Sequence, residues 1–286
     1  MNPPLEGCGI MDSIVEDAIE EAEGEAPEEA AENQGAFGDD VPGTDVSEFY
    51  RLPFPNDIRL EDGHPDMSGH PTPGPGVLGY DIVQRYLDAV SARQDRFGLN
   101  QTVFFRFTSS IEFGSVVGSG DNPTIEFINI DPDSDGYTSR RGMSWQYSTG
   151  PGDPQRPYIC QNWLAVRNAD GDPLRPETTY AVVLRKGITD PDGNEVTRDE
   201  DFGSMLADSE PTGRLAEAWQ AYQPLRDWVT DQSIDPGSLL SVAVFTTGNP
   251  WEMPKKIGEA ARSTSPTLSD VTLCEEGTTS PCDDGL

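Results

Sequence analysis

Val103, Phe105 and Phe107 alternate with Phe104 and Arg106. A period of two predicts a strand with one apolar face, so Phe105 and Phe107 should point inward and Arg106 to the opposite, solvated face; the alternative is a run buried on both faces beneath the helix of Ile82 to Val90. Tyr180, Val182 and Leu184 alternate in the same way and predict a matching row. Further β-rich runs lie at 124–130, 145–148, 157–166 and 178–184, and 239–247 is nearly continuously apolar. Turn clusters separate them: Asp131-Pro132-Asp133-Ser134-Asp135-Gly136, Asn168-Ala169-Asp170-Gly171-Asp172-Pro173 and Asp190-Pro191-Asp192-Gly193-Asn194. Short strands between Gly, Pro and Asp turns predict a mainly β fold, an Ig-like β-sandwich, and parallel βαβ alternation is absent.

The period changes to helical in two places. Ile82, Val83, Tyr86, Leu87 and Val90 recur at helical spacing after Tyr80-Asp81 and predict one buried stripe. Leu215, Ala218, Trp219 and Tyr222 share a face beyond Gly213, and Pro224 should end that helix and start another carrying Leu225, Trp228 and Val229. Between Gly63 and Gly76 the chain is rich in Pro and Gly and reads as an irregular surface loop. These patterns divide the chain into an acidic tether (1–45), a β-sandwich module with two helical segments (46–250) and a polar tail beyond Trp251 that should fray (251–286).

Charge sharpens this division. The 286 residues carry a net charge of −32, and the first 45 hold fourteen Asp or Glu and no Lys or Arg. Such a segment repels itself and predicts disorder. The same charge argues against nucleic-acid binding and against docking on an anionic membrane, since both need clustered cations. No run is long and apolar enough to cross a bilayer. Leu5-Glu6-Gly7-Cys8 loosely resembles a lipobox, although Glu6 fits it poorly and no apolar region precedes it. If the chain starts further upstream, Cys8 would be a lipid anchor; otherwise it is an incidental cysteine. Cys8, Cys160, Cys274 and Cys282 permit three pairings, and their spacing fits no zinc motif. Cys274 and Cys282 stand close enough for a small disulfide loop in an oxidising compartment.

Candidate chemistry is sparse. No Gly-x-Ser-x-Gly elbow occurs, and Gly142-Met143-Ser144-Trp145-Gln146 lacks the closing glycine. His64 and His70 are the only histidines, both in the Pro- and Gly-rich loop. Gly118-Ser119-Gly120 lacks the lysine of a phosphate loop. The best site-like feature is Asp131, Asp133 and Asp135, which match the opening of a calcium loop. The twelfth position is Gly142 rather than Glu, and Arg140 and Arg141 oppose a dication. An Asp-rich turn whose side chains cap backbone amides is the preferred reading, and no cofactor is expected.

Several segments taken together carry a resemblance. They are Phe54-Pro55-Asn56-Asp57, Phe105-Arg106-Phe107-Thr108, the run from Leu174 to Leu184, Gly187-Ile188-Thr189-Asp190-Pro191-Asp192-Gly193-Asn194, and Val244-Phe245-Thr246-Thr247. In that order they resemble the N-terminal Ig-like region of bacterial virulence-factor-type lipases, and bacterial Ig-like domains of surface-layer proteins. The resemblance spans Pro53 to Thr247. It implies a secreted or lipid-anchored bacterial protein, in a family whose α/β-hydrolase domain follows this region. This chain reaches Leu286 without a nucleophile elbow. The expectation is therefore a non-catalytic extracellular or cell-surface accessory module that spaces, docks or binds a protein or surface component. The alternative is a truncated esterase or lipase lacking its catalytic domain.

Overall fold

The structure, a computed structural model, describes residues 49–72, 79–150, 159, 161–213 and 215–264. The expected tether and all four cysteines lie outside the described residues. The chain divides into two compact units, Met1–Asn249 and Pro250–Leu286.

In the first unit a short ribbon comes first, β1 (Leu60–Glu61) and β2 (His64–Pro65), paired antiparallel. Asp62 and Gly63 both have positive φ, which is the geometry a two-residue hairpin turn requires and which Asp-Gly favours. The Pro- and Gly-rich stretch therefore begins as a hairpin, not as an irregular loop. Helix α1 (Ile82–Arg93) follows, capped by Asp81, whose carboxylate accepts from the amides of Val83 and Gln84.

Six further strands build two antiparallel sheets. Sheet I has the order β3 (Val103–Arg106), β6 (Trp163–Asn168), β5 (Met143–Ser148). Sheet II has the order β4 (Ile125–Asn129), β7 (Thr179–Arg185), β8 (Leu239–Thr246). The registers place Phe105 opposite Leu164 and Phe127 opposite Val182. Val103, Phe105, Leu164 and Val166 of sheet I share one apolar cluster with Ile125, Phe127, Tyr180, Val182, Leu184 and Phe245 of sheet II. The two rows predicted from alternation thus meet.

A second apolar cluster lies on the opposite face of sheet II. Ile128, Ala181, Val183, Leu239, Val242 and Val244 pack there against Phe202 and Met205 of α2 (Glu200–Met205), Ala218 of α3 (Leu215–Ala221), and Leu225, Trp228 and Val229 of α4 (Gln223–Asp231). Sheet II is buried on both faces, which is why all eight residues of β8 are buried and its sequence is nearly continuously apolar. The expectation of a mainly β fold understates this helical layer, since five α-helices stand beside eight strands in three antiparallel sheets among the described residues.

Three further expectations are corrected. Arg106 does not face solvent: it is fully buried, and its Nε donates to the Tyr50 carbonyl at 3.0 Å. The stripe of α1 is rotated from the predicted one, with Leu87 buried, Val83 and Val90 against the core, and Ile82 and Tyr86 exposed. In the second unit, helix α5 (Glu252–Ser263) occupies the start of the segment expected to fray. Its Glu252 and Lys256 pair one turn apart at 2.6 Å.

Candidate functional site

The site with the most unusual chemistry begins at Glu126, a lone acid inside the apolar run of β4. Alternation turns Ile125 and Phe127 toward sheet I, and so turns Glu126 and Ile128 toward the helical layer. Ile128 is covered by that layer. Glu126 reaches a cleft with Trp228, Gln232 and Ile234 on its far wall. On the neighbouring strand, Arg185 follows Ala181 and Val183 on the same face. Its Nε donates to Glu126 Oε2 at 2.6 Å, and Arg140 approaches Glu126 Oε1 at 2.5 Å. Glu126 is 3% exposed, Arg185 20% and Arg140 63%.

Arg140 owes its position to the Asp-rich turn. After β4 the chain passes through 131–136 and returns along the strand, with the Arg141 amide donating to the Phe127 carbonyl at 2.7 Å and the Asn129 amide to the Ser139 carbonyl at 3.0 Å. The turn is closed from within. Asn129 Oδ1 accepts from the Asp131 amide, and its Nδ2 donates to Ser134 Oγ at 2.8 Å. Asp131 Oδ1 accepts from the Asp133 amide at 3.0 Å, and Oδ2 accepts from the Thr179 amide at 3.2 Å. The Asp131 carboxylate thus serves backbone amides on two elements, while Asp133 and Asp135 point outward as exposed residues. Among the described residues, no three or more His, Cys, Asp or Glu gather as a metal-holding group. The related turn at Asp190 is built the same way: its carboxylate accepts from the amides of Asp192 and Asn194 and from Asn194 Nδ2. The Asn194 amide group is the main reason its carboxyl stays below the usual carboxylate range.

The cleft has two lobes that share Glu126, Arg140 and Arg185. One lobe, about 350 Å³, is lined also by Asp121, Asn122, Lys186 and Ser238. The other, about 250 Å³, runs beneath Trp228. The turn that precedes β8 supplies Ser238, whose carbonyl accepts from the Lys186 amide at 2.9 Å. Trp228 is buried, and its indole N–H meets no acceptor among the described residues. A carboxylate removed from water with two guanidiniums is poor evidence of stabilisation, because desolvation offsets the attraction. Its clearest consequence is geometric, since Glu126 fixes the Arg185 guanidinium at the cleft wall and draws Arg140 beside it.

The two histidines lie elsewhere. His70 Nδ1–H donates to the Pro71 carbonyl at 2.8 Å, and Nε2 faces the Tyr50 hydroxyl at 3.1 Å. Burial holds the His70 pKa below its ordinary value, so the neutral ring accepts from Tyr50. His64 Nδ1 lies 2.8 Å from the Gln94 carbonyl on the exposed ribbon.

Glu126, Arg185 and Lys186 were not singled out by the sequence pattern, and Arg140 entered only as an obstacle to a dication. The available signal was the acid inside an apolar run and an arginine closing another. No protein-family model matches the chain, and no curated protein matches it. Among the described residues no helix is long and apolar enough to cross a membrane.

Proposed function

We propose that this chain is a non-catalytic binding module of an extracellular or outer-surface bacterial protein, built as an Ig-like β-sandwich with an added helical layer. Two sheets closing on a common apolar core support the Ig-like assignment. So does Tyr180, whose hydroxyl accepts from the Arg175 amide at 2.9 Å, a contact similar to the tyrosine corner of such folds. The resemblance to the N-terminal region of virulence-factor-type lipases gives the surface setting, with lipidation of Cys8 as the route to a membrane. The functional reading is carried by the Arg140–Glu126–Arg185 cleft, where charge is fixed in place at a surface opening.

Two measurements on the full chain test the proposal. Incubation with washed bacterial envelopes should retain it in the pellet, and replacing Arg140 by Gln should weaken that retention. Short acyl esters should be hydrolysed no faster than in buffer. Saturable ester turnover that vanishes on replacing a single serine would overturn the reading in favour of an esterase.

A further inference from the structure

We propose that the Glu126 cleft binds a phosphate dianion, free or as the monoester of a small molecule, with Arg140, Arg185 and Lys186 as its cationic donors. The inference rests on the binding-module reading and names the chemistry of its ligand. Charge is the first argument. Glu126 neutralises one of the two guanidiniums, and Lys186 adds an ammonium with no ion-pair partner among the described residues. Arg140, Arg185 and Lys186 less Glu126 and Asp121 leave a local charge of +1 at the cleft wall, in a chain whose total is −32. A phosphate monoester carries about −1.5 to −2 at neutral pH, and a wall of net positive charge attracts it.

Geometry is the second argument. Arg185 is held to Glu126 through its Nε alone, and Arg140 lies beside Oε1 as an ion pair without an aligned hydrogen bond, so the remaining N–H groups stay available for the forked contacts that guanidinium makes with phosphate. Arg185 has only a 3.5 Å approach to Ser238 Oγ beyond its carboxylate. Size and long-range charge then limit the ligand. A 350 Å³ lobe admits one phosphorylated unit, and the acidic remainder of the molecule repels nucleic acids and other polyanions.

Isothermal titration of the full chain at pH 7.5 with inorganic phosphate, glucose 6-phosphate, glucose and acetate tests the inference. One-to-one binding of glucose 6-phosphate, with glucose and acetate silent, is the expected result. Inorganic phosphate binding as tightly would assign the site to free phosphate, and tighter binding of the ester would assign it to a phosphorylated molecule. Lys186→Gln, at an exposed side chain outside any ion pair among the described residues, should weaken binding at least tenfold with an unchanged melting temperature, and Arg140→Gln should weaken binding as much. Absence of saturable phosphate binding, or equal binding by both variants and wild type, would overturn it. Envelope retention that persists without phosphate binding would sink the ligand assignment alone; loss of both would sink the module reading too.

Discussion

Arg106 shows what a period of two can and cannot predict. Alternation correctly placed Phe105 in the core and Arg106 on the opposite face. It carried no information on what covers that face. The cover is the Phe49–Phe54 segment, which has no regular period and lies some fifty positions earlier in sequence. Phe54 and Phe104 exchange backbone hydrogen bonds at 2.7 and 3.2 Å, and the Tyr50 carbonyl receives Arg106 Nε. Arg106→Ala would leave that buried carbonyl without its donor and open space where a long side chain was. Its expected cost is about 2–4 kcal/mol, approaching the roughly 3–5 kcal/mol of Phe105→Ala. Urea denaturation of the two variants checks this. A loss below about 1 kcal/mol for Arg106→Ala would return the residue to a solvated face.

At the scale of elements, β8 was legible because burial on both faces leaves only Ser241 and Thr246 polar in eight residues, and α4 was legible because Pro224 marks its first turn. The stripe of α1 was misread because Ile82 and Tyr86 have the right spacing but no partner surface over them among the described residues. The residues that carry the family resemblance also acquire a physical role here. Asn56 Nδ2 donates to the Tyr222 hydroxyl, which donates to the Val242 carbonyl. Asp57 accepts from the amide and hydroxyl of Thr246. These motif residues fasten the N-terminal segment to β8 and the helical layer, so they report framework rather than chemistry. Asp199 joins the same region. It caps α2 by accepting from the Phe202 amide, and burial, aided by nearby Asp201, pushes its carboxyl up to about 7. The folded chain therefore holds this proton more tightly than the unfolded chain does. The resulting stability is fully present below the ordinary carboxylate range and is lost as pH rises through about 7. The slope from one such group is at most about 1.4 kcal/mol per pH unit. Asn at the position keeps the capping oxygen and removes the titration. Between pH 5 and 7.5 the wild type should lose stability relative to Asp199→Asn. Parallel stability–pH curves for the two proteins would refute the assignment.

For the whole molecule, the governing quantity is charge. Fourteen of the acids sit in the first 45 residues, so −32 + 14 leaves −18 on the remainder. Self-repulsion of this size opposes a compact state, and salt relieves it because the screening length falls from about 30 Å at 0.01 M to about 3 Å at 1 M. Exposed pairs such as Arg167–Asp170 weaken on the same addition, but such pairs contribute about 0–1 kcal/mol each. The pair at Glu126 is largely shielded from solvent and is screened less. The balance predicts that the melting temperature rises by several degrees between about 10 and 500 mM NaCl. A fall would mean that surface attraction outweighs repulsion. The cleft adds a separable effect, because a ligand that binds only the folded state stabilises it in proportion to the logarithm of its concentration. Low millimolar phosphate should therefore raise the melting temperature beyond NaCl of equal ionic strength. Lys186→Gln should abolish that excess while leaving the common salt response intact. If the variant keeps the excess, phosphate acts on the molecule as a whole and not at the cleft.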